Sequence, residues 1–120
     1  MNVQQLVKEW FEKWETGEFL SLPISGNFKH TSPYGTIYGK KAYLELVSTN
    51  KEKFLGHRFL IHNSMFDKNS ACVRYTAIQG DFQLEVCEWH FTSGHLIEKI
   101  IAYYNIKEPR ISIDQDNFIK

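Results

Sequence analysis

After Gly56 the chain becomes four long apolar runs, at 57–66, 71–78, 81–92 and 95–106, with only short turns between them. Runs this rich in Val, Ile, Phe, Tyr and Trp read as strands. The turns fall at Asp67-Lys68-Asn69-Ser70, Gln79-Gly80 and Ser93-Gly94. Connections so short join only antiparallel neighbours, because a parallel return needs a crossover of roughly a dozen residues or more. The second half of the chain is therefore an antiparallel meander.

The first half is mostly helical. Val3, Leu6, Val7, Trp10, Phe11 and Trp14 recur as one helical stripe, with Lys8, Glu9, Glu12, Lys13 and Glu15 facing water. Asn2 is a capping residue with Gln5 as its reciprocal partner, and Gly17 suits a left-handed stop. A short second helix is expected over 18–22, ended by Pro23. Short strands follow at 28–32 and 36–38, around the turn Ser32-Pro33-Tyr34-Gly35. From Lys40 the helical spacing returns, with Tyr43, Leu46, Val47 and Phe54 on one face and Gly56 at its end. Helices first and a meander second make the class α+β. Residues 1–106 read as one domain, and 107–120, with Pro109 and several charges, as its C-terminal extension.

Composition narrows the function classes. Of 120 residues, 42% are hydrophobic and 15% aromatic, enough for a core and incompatible with disorder. The 14 basic residues balance the 14 acidic ones, so neither nucleic acid nor an anionic membrane is expected as a partner. The charged start, with Lys8, Glu9, Glu12 and Lys13, lacks the apolar stretch of a signal peptide, and no apolar run reaches the roughly 18 residues of a membrane span. The expected location is the cytoplasm. Cys72 and Cys87 are too few for a disulfide scaffold, and neither they nor the five histidines show ligand spacing. No metal and no cofactor is expected.

A two-residue turn at Gln79-Gly80 fixes a register. It sets Val73 opposite Val86, Tyr75 opposite Leu84 and Ala77 opposite Phe82 on one face of the hairpin. Cys72 with Cys87, Arg74 with Glu85 and Thr76 with Gln83 share the other, followed by Trp89 and Phe91. Both faces are too apolar to be left in water. Helices cover one, and a second copy of the chain is the simplest cover for the other. The face with Val73, Tyr75, Leu84 and Val86 is expected to carry that homodimer contact, and the face with Cys87 and Trp89 the interior.

Trp14-Glu15-Thr16-Gly17, Phe28 through Ser32-Pro33-Tyr34-Gly35 to Gly39-Lys40-Lys41-Ala42-Tyr43, and Cys87-Glu88-Trp89-His90-Phe91 before Gly94-His95-Leu96-Ile97 carry a family pattern. In this layout the chain resembles the nuclear transport factor 2-like superfamily, nearest its SnoaL-like and ketosteroid isomerase-like domains. The resemblance spans about residues 2 to 106 and implies a cone with three N-terminal helices packed on a curved antiparallel sheet. It also implies a ligand pocket inside the cone and pairing through the convex face. It puts the isomerases' base position on Ser32, their helix tyrosine on Trp10 and their strand aspartate on Cys87, so none of those catalytic groups is matched. Arg74, followed by Tyr75 and Thr76, does not match the epoxide-opening branch either.

The remaining candidates have ordinary alternatives. His30 and Ser32, two apart on a strand, point the same way, into the cone if Ser32 holds the base position. Histidine titrates near neutrality, so His30 is either an acid/base group or a hydrogen-bonded part of the wall. Arg74 and Glu85 either orient a ligand or form a cross-strand salt bridge. Cys87 is either a ligand contact or packing. Trp10, Trp14, Trp89 and Phe91 either line a pocket or fill it. The expected function is a domain that binds a small, mostly apolar molecule in the cone cavity. The alternatives are an isomerase, cyclase, dehydratase or hydrolase using His30, and a structural dimerisation domain.

Overall fold

The computed structural model describes residues 2–106. Helix α1 (Val3–Thr16) opens on a reciprocal cap: the Asn2 side chain accepts from the Gln5 N–H at 2.9 Å, and the Gln5 side chain accepts from the Asn2 N–H at 2.9 Å. It stops at Gly17, whose φ of 81° is left-handed. The six stripe residues are all buried. The second helix shrinks to one 3-10 turn (Phe19–Ser21), because Gly17 and Pro23 leave room for nothing longer. Helix α2 (Lys40–Thr49) and the single turn α3 (Lys51–Phe54) replace one longer helix, meeting at Asn50.

Among the described residues, six strands follow the sheet order β2-β1-β6-β5-β4-β3. They are β1 (Ile24–Ser32), β2 (Gly35–Tyr38), β3 (Arg58–Phe66), β4 (Ser70–Gln79), β5 (Phe82–Ser93) and β6 (Leu96–Tyr103). The meander is antiparallel throughout, and only β1 runs parallel to its neighbour, β6. Strand β1 begins earlier than the pattern predicts, since Gly26 and Asn27 hide a strand interrupted by a register shift between Ile24 and Lys29. The sheet is curved and open, with the helices inside the curve, as the α+β expectation required. Residues 107–120, expected as a C-terminal extension, lie outside the described residues.

The β4–β5 register differs from expectation. Gln79 pairs with Phe82, so the turn is Gly80-Asp81 rather than Gln79-Gly80. Gly80 has φ of 59° and Asp81 has no positive φ, the pattern of a turn whose first central residue must be glycine. The β5–β6 hairpin repeats it, with Ser93 opposite Leu96 and Gly94 at φ of 62°. Arg74 therefore faces Cys87, and Glu85 faces Thr76.

A two-residue displacement leaves each side chain on its original face, so the hairpin's two sets of residues survive. Their roles are exchanged. Val73, Tyr75 and Val86 are core, and Leu84 packs against it. They are unavailable for a subunit contact. Cys72, Arg74, Glu85, Cys87, Trp89 and Phe91 lie on the outer, convex face.

Candidate functional site

Between the helices and the concave face of the sheet lies a cavity of about 560 Å³. The α1 stripe supplies Trp10, Phe11 and Trp14, because the residues that bury the helix also floor the space it leaves. Tyr43 of α2 stacks on His30 of β1 with ring centroids 5.0 Å apart, and Phe59 and Tyr75 continue the aromatic wall along β3 and β4. The tryptophans do not close it: Trp10 and Trp14 meet edge to face at 5.6 Å, and the void remains.

Among the described residues, one carboxylate lines this wall. Glu88 is inward on β5 and only 4% exposed. Its Oε2 accepts a hydrogen bond from the Tyr75 hydroxyl at 2.7 Å. Its Oε1 lies 2.9 Å from Nε2 of His90, two residues along the same face, within ion-pair distance. His90 is wholly buried against Trp10 and Phe11, and its Nδ1 has no partner among the described residues. Burial alone would raise the Glu88 carboxyl, but His90, the Tyr75 hydroxyl and His30 together hold it below the ordinary carboxylate value. Burial pushes His30 down, against the opposing pull of Glu88. Burial, aided by Glu88, pushes the Tyr43 and Tyr75 hydroxyls well up. The wall thus presents a carboxylate, a neutral imidazole and neutral phenols near pH 7.

Of the residues expected at a site, Trp10, Trp14, His30 and Ser32 line the cavity together. Arg74, Glu85, Cys87, Trp89 and Phe91 do not. Arg74 Nε donates to Asn63 at 2.8 Å on the outer face, so no Arg74–Glu85 pair forms. Cys72 and Cys87 do meet, with sulfurs 3.7 Å apart on that face, and burial followed by Cys87 pushes the Cys72 thiol up to about 11. The strand position assigned to Cys87 is filled from inside by its neighbour Glu88, so the cavity does hold a strand carboxylate. Glu88, His90 and Tyr75 are the polar centre that sequence reasoning missed. The one available signal was parity, since Glu88 and His90 alternate in step with Val86 and Leu84.

No protein-family model and no curated protein matches the chain. Solved structures do. A nuclear transport factor 2-like protein of unknown function from Cytophaga hutchinsonii superposes with a TM-score of 0.73 at 17% identity, covering 85% of this chain and 88% of that one. The fold is nuclear transport factor 2-like. A SnoaL-like protein of unknown function from Burkholderia thailandensis gives 0.65 at 19% identity, over 85% of this chain and 92% of that one. An LEH-like epoxide hydrolase from M. tuberculosis gives 0.69 at 14%, over 84% and 80%. At such identities the nuclear transport factor 2-like likeness establishes architecture and carries no reaction with it.

Proposed function

We propose that the cavity binds a small, mostly apolar molecule carrying one polar group, which sits at the end where His30 and Glu88 converge. The supporting observation is Glu88, a buried carboxylate on the wall of a mostly aromatic and aliphatic cavity of about 560 Å³. Aromatic walls with a few convergent polar groups are the usual make-up of a small-molecule site. The apolar walls contribute roughly 25 cal/mol per Å² of ligand surface removed from water, and the polar end sets orientation. A core built only for stability would fill such a void, because empty space forfeits packing.

An enzyme is the second reading, favoured by His30 and Glu88 lining one cavity: a neutral imidazole accepts a proton and a nearby carboxylate stabilises the cation formed. Ser32, also in the wall, offers only a hydroxyl. Reactions of isomerase, cyclase, dehydratase or hydrolase type would all use such a group. The convex face supports pairing with a second copy. Among the described residues no helix is long and apolar enough to cross a membrane.

Binding is tested by titrating the protein with hydrophobic carbonyl compounds while following tryptophan fluorescence. Trp10 and Trp14 should report occupancy, and His30→Ala should weaken it by roughly 0.5–1.5 kcal/mol, the worth of one neutral hydrogen bond. Failure of every compound to move the fluorescence, with nothing co-purifying in native mass spectrometry, would overturn the reading.

A further inference from the structure

The chain has two cysteines and two methionines, and sheet pairing brings both cysteines and Met65 to one patch. Met65 of β3 stands directly opposite Cys72 of β4, and Cys72 Sγ lies 3.7 Å from Sγ of Cys87 on β5. Residues paired across strands in this way share a face, with Cβ atoms roughly 4.5–5.5 Å apart. All three lie on the convex side of the sheet, away from the cavity. Spacing along the chain conceals the group, because positions 65, 72 and 87 meet only through the pairing of three strands. Free cysteine is ordinarily among the most buried residue types, yet both of these are partly exposed. Met65 is 75% exposed and flexible, so its thioether is free to swing over the thiol pair.

The separation and the donor set together point to an ion. A disulfide needs its sulfurs about 2.05 Å apart. Two sulfurs that share one metal ion at about 2.3 Å each, at trigonal or tetrahedral angles, stand about 3.8–4.0 Å apart. The pair at 3.7 Å is close to the second geometry and far from the first. Two thiolates and a thioether are soft ligands, which suit monovalent copper and not magnesium, calcium or manganese. A structural zinc ion would need further cysteine, histidine or carboxylate ligands, and among the described residues none joins the pair. We propose that Met65, Cys72 and Cys87 form a binding site for monovalent copper on the convex face. Each thiol gives its proton to solvent as it binds, so the complex carries a net negative charge. Arg74, directly opposite Cys87 and held through Nε by Asn63 Oδ1 at 2.8 Å, sets a permanent positive charge in register with it. The site is independent of the cavity, and its test needs no cavity ligand.

The reduced full chain is titrated without oxygen into the coloured complex of monovalent copper with bicinchoninate. It should withdraw copper in a one-to-one ratio, and the loaded protein should lose the reaction of both thiols with an aromatic disulfide reagent. Cys72→Ser and Cys87→Ser should each abolish the withdrawal. Met65→Leu, at an exposed position and of similar bulk, should weaken binding roughly 10–100-fold, the range for a supporting group at a metal centre. Zinc at the same concentration should leave both thiols reactive. Failure to withdraw copper, or withdrawal unchanged in either serine variant or in Met65→Leu, overturns the site. Equal protection of the thiols by zinc overturns the choice of ion. Thiol protection in the unmodified protein and the Met65→Leu comparison stand even where a serine variant does not fold.

Discussion

His30 and Glu88 make the molecule sensitive to acid, and the direction follows from the cause. Burial sets the folded value of His30 below the ordinary 6.5, so the folded chain binds its proton less readily than the unfolded chain does. Stability is then complete above about 6.5 and falls as pH drops below it. Glu88, held below its ordinary 4.5, adds a second loss at lower pH, as the unfolded carboxylate takes up a proton that the folded one resists. The groups facing this pair are Tyr75 on β4, His90 on β5, Tyr43 on α2 and Tyr104 beyond β6, and burial holds the Tyr43 and Tyr75 hydroxyls well above that window. We expect the melting temperature to drop as pH falls from about 6.5 to 5.5, and to drop less in His30→Gln. Superimposable profiles for the two proteins would rule out His30 as the source. Removing Glu88 altogether is a different matter: Glu88→Ala leaves the Tyr75 hydroxyl and His90 buried without partners, a loss of roughly 3–5 kcal/mol.

At the level of elements, the first helix shows how much can be read directly. Its stripe, its Asn2 and Gln5 cap and its Gly17 stop are local features, each decided within a few residues, and all occur as the spacing predicts. Asn2→Ala deletes the acceptor for the Gln5 N–H and should cost about 1 kcal/mol, or roughly 3–6 °C in Tm. Gly17→Ala should cost at least as much, because the residue sits at φ of 81° and its new methyl would stand 3.1 Å from Leu55 Cδ2. Unchanged melting in both variants would mean that the helix ends contribute nothing to stability. The sheet was less legible for a physical reason. Along β5 the inward set includes Glu88 and His90, while the outward set includes Trp89 and Phe91. Hydrophobicity alone therefore turns the strand inside out. The polarity is inverted only at the site, where a pocket needs charge inside and the convex face carries aromatics outside. The turns failed for a smaller reason: a Gly that takes the first central position was read as taking the second, which shifted partners by two and changed no face.

The whole molecule carries that inversion on its surface. Leu60 and Met65 on β3, Trp89 on β5 and Tyr103 on β6 are 55%, 75%, 41% and 58% exposed, on the outer side of one sheet. Phe91 and Ile101 extend the β5–β6 part of this face, Trp89 stacks on Phe91 at 6.4 Å, and Arg74 with Asn63 stands between that part and the β3 residues. Nothing in the chain's charge opposes association, with 14 basic and 14 acidic residues. Large apolar side chains gathered on one exposed face are costly in water and mark an interface. The cavity lies on the opposite side of the sheet, so two copies joined back to back would keep both cavities open. We expect a homodimer with about 1,200–2,000 Å² buried in total, centred on Trp89. Light scattering should give twice the chain mass for the unmodified protein. Trp89→Lys, which sets an unpaired ammonium group in the centre of that contact, should give single chains. Because Trp89 faces away from the cavity, the variant should keep the unmodified protein's response to hydrophobic carbonyl compounds, which also distinguishes a lost interface from a lost fold. A single-chain mass for the unmodified protein at high micromolar concentration would show that the convex face is not covered by a second copy.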